Sequence, residues 1–138
     1  MEACVSVEQE ILDKTFTFPV GLPGFLQFHR FVFTQTEEER PFAFMRSVDD
    51  PSVSFLVIEA FYLKGDYVMD VDDTLLEDIG SPGPLDCLVF FILKVESWKP
   101  FVFHANLRAP LIIHKEKRLG RQITLNESSY STQERFEF

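Results

Sequence analysis

The sequence predicts a mainly β protein, an antiparallel barrel or sandwich with one short helix. Short apolar segments rich in Phe and Val recur along the chain and are separated by Gly, Pro and Asp, which is typical of strands joined by turns. Only one segment has a helical pattern, which disfavours a parallel sheet built from alternating strands and helices. The 138 residues, 46% of them hydrophobic, suit a single domain over residues 1–138 that buries its own core.

The first strand and the loop after it are marked by alternation and by turn residues. Residues 15–18 alternate between Thr and Phe and are followed by a proline. The next loop contains Gly21, Pro23 and Gly24. Glycine admits positive φ and proline fixes φ at about −65°, so we expect these three residues to hold a compact turn. A second strand is predicted over residues 31–35.

Residues 42–48 and 53–59 are predicted to form a β-hairpin. Its turn contains Asp49, Asp50 and Pro51. Aspartate side chains in turns accept hydrogen bonds from nearby backbone N–H groups, and proline cannot continue a strand ladder. Turn capping is therefore the expected role of these carboxylates, and they are also candidate contacts for a basic partner.

The second half of the chain is predicted to contain a strand at residues 67–71, the single helix at 72–80 and four more strands. The helix prediction rests on Asp72 and Asp73 at its start, on apolar residues at 75, 76 and 79, and on a terminal glycine. The two aspartates are further candidate contacts for a basic partner. The later strands are predicted over residues 87–96, 101–107, 111–115 and 122–125, and Gly120 lies between the last two.

A polar break interrupts the strands near the C-terminus. Asn106 and Arg108 are two residues apart, so on a strand both would point to the side opposite Leu107. The arginine could pair with an acid of the hairpin turn, extend along the surface or contact a partner. Pro110 lacks an N–H group and marks an edge or a bulge. An edge strand can pair with the backbone of a partner.

The charge distribution favours a basic partner. The formal net charge is −9. The first hundred residues hold 7 Lys and Arg against 18 Asp and Glu, a net −11, whereas residues 101–138 hold 6 against 4, a net +2. An acidic body repels nucleic acid and attracts basic surfaces. The alternative is that the charge only keeps the protein in solution.

A basic cluster is the main argument for nucleic-acid binding. It consists of Lys115, Lys117, Arg118 and Arg121. We predict that it is a charged hairpin connection. The alternative is a β-barrel RNA-binding protein that uses residues 101–121, with Phe101 and Phe103 stacking on bases. Four basic residues on a protein of net charge −9 give weak attraction for phosphates, so direct nucleic-acid binding is not expected.

No catalytic or metal-binding motif is found. The sequence has no GxSxG elbow, no Walker loop and no GxGxxG. His29, His104 and His114 lack metal-ligand spacing, and the acidic pairs are adjacent residues in turns rather than carboxylates facing across a cleft. We therefore expect no enzyme activity, no metal and no cofactor. A small hydrolase of unfamiliar type remains the alternative.

The cysteine content and the hydropathy suggest a cytoplasmic protein. Only Cys4 and Cys87 are present, too few for a disulfide scaffold. The first residues are acidic where a secretory signal would be positively charged. The most apolar window, residues 85–95, is too short to span a bilayer, so no membrane association is expected.

Four segments together resemble a known family. Residues 18–25 read FPVGLPGF, 47–57 contain SVDDP followed by FLV, 106–111 read NLRAPL, and 118–122 read RLGRQ. In this order, and in a chain of this size, they resemble the bacterial flagellar assembly factor family, FliW. The resemblance covers about residues 15–130. Each piece is weak evidence alone, but the ordered set is specific.

The resemblance implies a fold and a function. The family fold is a small antiparallel β-barrel. Its members act without catalysis in the cytoplasm, where they bind CsrA, an RNA-binding translational repressor, and flagellin. Binding to CsrA relieves repression of flagellin mRNA, and free flagellin titrates the assembly factor away from CsrA. We therefore expect these two partners, a protein that is monomeric alone, and partner contacts among the polar break and the aspartates named above.

Overall fold

The computed structural model describes residues 10–83, 85–125 and 128–138, apart from the side chain of Asp73. One sheet contains all nine strands of these ranges. The strands are β1 (Thr15–Thr17), β2 (Arg30–Thr34), β3 (Phe42–Ser47), β4 (Ser54–Glu59), β5 (Cys87–Trp98), β6 (Phe101–Ala105), β7 (Leu111–His114), β8 (Leu119–Gln122) and β9 (Glu134–Glu137).

The sheet closes into a barrel, as predicted. Strands pair in the order β4-β3-β2-β1-β8-β7-β5, and β5 pairs again with β4 to complete the ring. Every pairing is antiparallel except that of β1 with β8, which is parallel where Thr17 lies opposite Leu119. Each of these seven strands therefore has a partner strand on both sides. A ring of this kind has no free edge strand, which removes a template for aggregation.

The length of β5 explains how two more strands extend the barrel. Its first residues, Cys87 to Phe90, pair with β7, and its last residues, from Leu93 to Trp98, pair with β6. Strand β9 then adds to the other side of β6. The β5–β6–β9 extension is therefore continuous with the barrel.

Phenylalanine side chains fill the barrel because the strands alternate. In β2 the rings of Phe31 and Phe33 are fully buried, whereas the residues between and beside them are more exposed. The ring of Phe33 packs edge-on against Phe16 at 5.4 Å, and that of Phe31 packs edge-on against Phe18 at 5.3 Å. Each buried ring contributes about 1.5–3 kcal/mol of hydrophobic stabilisation.

The helices are short. The predicted helix at 72–80 is present as a 3-10 helix, Asp73–Ile79, which is capped by Asp72 and ends at Gly80, where φ is 85°. A further 3-10 helix, Glu37–Glu39, and one turn of α-helix, α1 (Ala60–Leu63), were not predicted. No helix within the described ranges has both the length and the apolar character needed to cross a membrane.

Two strand predictions are corrected by the structure, and one strand was missed. Residues 67–71 form no strand, because Tyr67 turns inward and its hydroxyl donates to the carbonyl oxygen of Leu107 at 2.6 Å. The last hairpin is tighter than predicted, so its second strand is β8 rather than residues 122–125. Arg118 has a φ of 56°, which allows this tight turn. Strand β9 was not predicted.

Candidate partner-binding face

The four segments that carry the family resemblance meet at one depression of about 360 Å³. We call it the motif groove. Its lining includes Pro23, Phe25, Phe55, Asn106, Ala109 and Gln122. These residues come from four separate parts of the chain, and the barrel brings them together. The sequence alone identified the segments but did not show that they are neighbours.

Glycines shape the loop on one side of the groove. Gly21 and Gly24 have φ values of 71° and 83°, which β-carbon-bearing residues rarely adopt. A β-carbon on Gly21 would lie 3.0 Å from the carbonyl oxygen of Leu26. The loop exposes 37% of Phe25, whose ring packs edge-on against Phe55 at 5.1 Å. The loop therefore places an aromatic side chain at the rim.

The polar break forms a turn on the other side of the groove. Strand β6 ends at Ala105, and the side-chain oxygen of Asn106 accepts hydrogen bonds from the N–H groups of Arg108 at 3.2 Å and Ala109 at 3.1 Å. The predicted strand orientation of Asn106 and Arg108 is therefore wrong, because this turn replaces the end of the strand. Leu107 is fully buried in this turn, whereas Asn106 and Arg108 are half-buried.

Hydrogen bonds of Arg108 and Pro110 attach residues 123–125 to this turn. The guanidinium Nε of Arg108 donates to the carbonyl oxygen of Leu125 at 3.2 Å, and the Arg108 carbonyl accepts from the Leu125 N–H at 2.8 Å. The carbonyl of the buried Pro110 accepts from the Ile123 N–H at 3.1 Å. These bonds fix residues 123–125 along the edge of the motif groove.

A second depression, of about 610 Å³, continues the groove. Its lining includes Asp70, Asp72, Leu75, Thr124, Leu125 and Tyr130. Thr124 lines both depressions. We call the two together the motif face. This face presents apolar side chains at one end and carboxylates at the other.

The candidate aspartates are divided between two places. Asp72 lies on the motif face, where its carboxylate accepts from the N–H and hydroxyl of Thr74, both at 3.0 Å. The backbone hydrogen bond from Thr74, followed by the hydroxyl bond, lowers the pKa of Asp72 below its usual value. The side chain of Asp73 lies outside the described part of the structure.

Asp49 and Asp50 lie in the β3–β4 turn and line neither depression. Asp50 accepts from the hydroxyl of Ser52 at 2.7 Å and from its N–H at 3.1 Å, and these two bonds lower its pKa. Asp49 pairs with Arg30 of β2 at 2.6 Å, rather than with Arg108. Pro51 is exposed in the same turn. Both carboxylates therefore have structural partners.

Two members of the basic cluster are paired with acids. Lys115 lies 4.0 Å from Glu10, and Arg121 lies 3.0 Å from Asp78. The guanidinium of Arg121 also donates to the carbonyl oxygen of Leu75 at 2.9 Å, which anchors the 3-10 helix to β8. This pairing reduces the positive field that a nucleic acid would encounter at the β7–β8 turn.

The aromatic residues of the RNA alternative do not form an exposed platform. Phe103 is fully buried and Phe101 is half-buried. Bases stack on exposed rings, so these two side chains are poorly placed to bind them. Among residues 10–83, 85–125 and 128–138, no group of three His, Cys, Asp or Glu side chains is arranged to hold a metal ion.

Sequence reasoning missed Phe25, Phe55 and Thr124 as residues of this face. Phe25 and Phe55 belong to the segments that carry the family resemblance. The sequence did not show whether their side chains line a surface depression or fill the core. No local pattern marks Thr124, because its position follows from the backbone bonds that Arg108 and Pro110 make with its neighbours.

Comparison with known proteins defines the class of this barrel. A crystal structure described as the flagellar assembly factor FliW superposes with a TM-score of 0.81 at 37% sequence identity, covering 88% of this chain and 84% of that one. The protein is thus a barrel of the flagellar assembly factor class.

Sequence relatives identify the family. The model of the FliW protein family matches residues 4–136. Flagellar assembly factor FliW of Geobacillus thermodenitrificans is 39% identical over 119 residues, which cover 86% of this chain and 81% of that protein. That of Treponema denticola is 36% identical over 113 residues, 81% of this chain and 75% of that protein. The chain belongs to the FliW family.

Proposed function

We propose that this protein is a non-catalytic, cytoplasmic flagellar assembly factor that binds a CsrA-type translational repressor and flagellin. Binding the repressor relieves repression of flagellin mRNA, and flagellin binding makes the protein act as a chaperone-like partner. The observation that carries the proposal is the family match over residues 4–136, together with the convergence of the four matching segments on one face.

The charge of the protein supports a basic, RNA-binding partner. A net charge of −9 attracts a basic surface and accelerates encounter more than it deepens affinity. On the motif face, Asp70 and Asp72 supply negative charge at one end. We infer that this end contacts the repressor, and that the monomeric protein does so without binding RNA itself.

The other end of the face suits an apolar segment. Phe25 and Phe55 form an aromatic pair at the rim, and Pro23 extends the apolar surface beside them. Apolar side chains buried at the centre of an interface contribute most of its affinity. We infer that flagellin contacts this end, because an unassembled subunit presents apolar surface that a chaperone-like partner can cover.

A competition titration tests the proposal. The full chain is mixed with labelled repressor, then flagellin is added, and complexes are separated by size-exclusion chromatography. We expect a complex with each partner, and displacement of one by the other because the two depressions adjoin at Thr124. If neither partner co-elutes with the protein, the proposal is wrong. Two stable binary complexes that form a ternary complex would show separate sites rather than competition.

Matched charge reversals test the role of the acidic end. Asp70→Lys places a positive charge on the motif face, whereas Asp66→Lys reverses a carboxylate that is 85% exposed and lies outside the face's lining. We expect Asp70→Lys to slow association with the repressor more than Asp66→Lys does, with the difference shrinking at high salt. Equal effects would assign the attraction to net charge alone.

A gel-shift assay at physiological salt tests the RNA-binding alternative. We expect no shift of flagellin mRNA leader by the protein alone. A shift that is lost in Lys117→Glu would instead support direct binding by the basic turn.

A further inference from the structure

A separate depression of about 300 Å³ lies where β5 turns into β6. Its apolar wall consists of Phe42, Phe44, Leu56, Trp98 and Phe101. We call it the aromatic cleft. None of these five side chains lines the motif face. The cleft is therefore a second surface, and nothing in the proposed function uses it.

Trp98 makes the cleft unusual. The residue is 67% exposed, although large aromatic side chains are costly to leave in water. Its indole stacks on the ring of Phe101 at 5.3 Å with an angle of 2° between the planes. Phe101 is held in turn by Phe42 at 5.1 Å and Phe103 at 5.2 Å. One face of the indole is thus fixed against the protein, which leaves the opposite face to solvent.

Carboxylates border the aromatic wall. Glu38, Glu39 and Arg40 line the cleft, and the two glutamates belong to the 3-10 helix Glu37–Glu39. The carboxylate of Glu39 also accepts a hydrogen bond from the backbone N–H of Thr36, the N-cap residue, at 3.0 Å. This bond holds the helix in place. Glu38 and Glu39 against Arg40 give the lining of the cleft a net charge of −1.

We propose that the aromatic cleft docks a segment of a protein partner in which an arginine neighbours an apolar side chain. The planar guanidinium stacks on the open face of Trp98 and donates to the glutamates at the rim. The apolar side chain enters the space bounded by Phe42, Phe44 and Leu56. Lysine fits less well, because its ammonium cannot stack and donate in a fork at once.

The negative charge at the rim of the cleft favours a polypeptide ligand over a nucleic acid. A base can also stack on an exposed indole, but the phosphates of its strand would approach Glu38 and Glu39, and the whole protein carries a net charge of −9. Phosphate contacts supply most nucleic-acid affinity. A cationic polypeptide segment satisfies both the ring and the carboxylates, and this inference does not depend on the proposed function.

The fluorescence of Trp98 measures binding at the cleft, because this residue is the only tryptophan of the chain. The full chain is titrated with a tryptophan-free peptide, acetyl-Gly-Arg-Leu-Leu-Arg-Gly-amide, and with versions in which lysine or glutamate replaces arginine. We expect a saturable blue shift of the emission with the arginine peptide, roughly two- to fivefold weaker binding of the lysine peptide, and no shift with the glutamate peptide. Absence of saturation, or equal binding of the glutamate peptide, overturns the proposal.

Variants locate the binding with a fluorescein-labelled arginine peptide and anisotropy. Trp98→Ser and Glu38→Lys should each weaken binding, the first by about tenfold or more. Leu85→Ser, which changes a side chain that is 88% exposed and outside the cleft, should leave binding unchanged. Circular dichroism checks that each variant folds. If Trp98→Ser does not fold, Glu38→Lys still tests the proposal. Loss of binding in Leu85→Ser, or displacement of the peptide by polyuridylate, overturns the assignment.

Discussion

Replacing Gly120 by alanine tests how tightly the barrel closes at β8. A β-carbon at this position would lie 2.6 Å from two ring carbons of Phe18 and 2.9 Å from the terminal methyl of Ile113. Carbon atoms prefer separations of about 3.5–4.0 Å, so Phe18 must retreat by about 1 Å. It has little room to do so, because its ring is fully buried against Phe31.

The expected cost follows from two opposing effects. Overpacking of this kind costs about 1–3 kcal/mol, and the loss of glycine's freedom in the unfolded chain offsets about 0.4–1 kcal/mol. We expect Gly120→Ala to reduce the free energy of unfolding by about 1 kcal/mol, with an upper bound of about 2.6 kcal/mol, and the melting temperature to fall by roughly 3–5 °C per kcal/mol for a chain of this size.

Urea and thermal unfolding followed by circular dichroism measure this cost. The matched control is Gly65→Ala, where the nearest atom to a new β-carbon is the carbonyl oxygen of Phe61 at 3.9 Å, so its stability should stay near that of the unmodified chain. The cost of Gly120→Ala should also shrink when Phe18 is replaced by leucine, because the two sites are coupled. Equal stability of Gly120→Ala and Gly65→Ala would refute the packing argument.

Substitutions at four further positions separate structural from functional roles. Tyr67→Phe removes the buried hydrogen bond to the Leu107 carbonyl and should cost about 1–3 kcal/mol of unfolding free energy; an unchanged urea midpoint would contradict this. Asn106→Ala should cost about 1–2 kcal/mol because two N–H groups lose their acceptor, and Asn106→Asp should recover most of it. Arg108→Ala should lower the melting temperature, since its guanidinium holds residue 125; lost partner binding at unchanged stability would make it a contact residue instead. The carboxylate of Asp50 has a lowered pKa in the fold, so its contribution is present above its unfolded pKa of about 3.9 and is lost as pH falls through the folded pKa. Melting at pH 7 and at pH values down to 3 should therefore show the advantage over Asp50→Asn shrinking in acid, and an advantage that grows in acid would contradict the reasoning.

Local signals predicted the parts of the fold that local bonds hold. The β3–β4 hairpin was predicted because aspartate and proline stop a strand, and the structure shows Asp50 capping that turn. The 3-10 helix was predicted from its acidic start and its terminal glycine, and the structure shows Asp72 capping the helix and Gly80 ending it. The family resemblance supplied barrel closure, which the strand pattern alone left open between a barrel and a sandwich.

The features that sequence reasoning missed depend on distant partners. Tyr67 lies in an apparent strand, but its hydroxyl donates to a carbonyl 40 positions away and its ring packs edge-on against Phe91 at 4.8 Å. Strand β9 reads ERFE and shows no clear strand pattern of its own, and it pairs with the side of β6 that β5 leaves free. The motif groove likewise forms only when the barrel closes, so its lining was not readable from any one segment.

The residues that marked the family most clearly are therefore poor choices for mapping partner contacts. Gly120 makes room for the ring of Phe18, and Asn106 and Arg108 bond to the backbone of their own protein. Substituting any of them changes the shape of the motif face, so a loss of binding would not show direct contact. Phe25 and Asp70 are better probes because their side chains are exposed on the face itself. Binding measured with changes at these two positions separates contact from scaffold, since neither is expected to alter the backbone bonds that build the face.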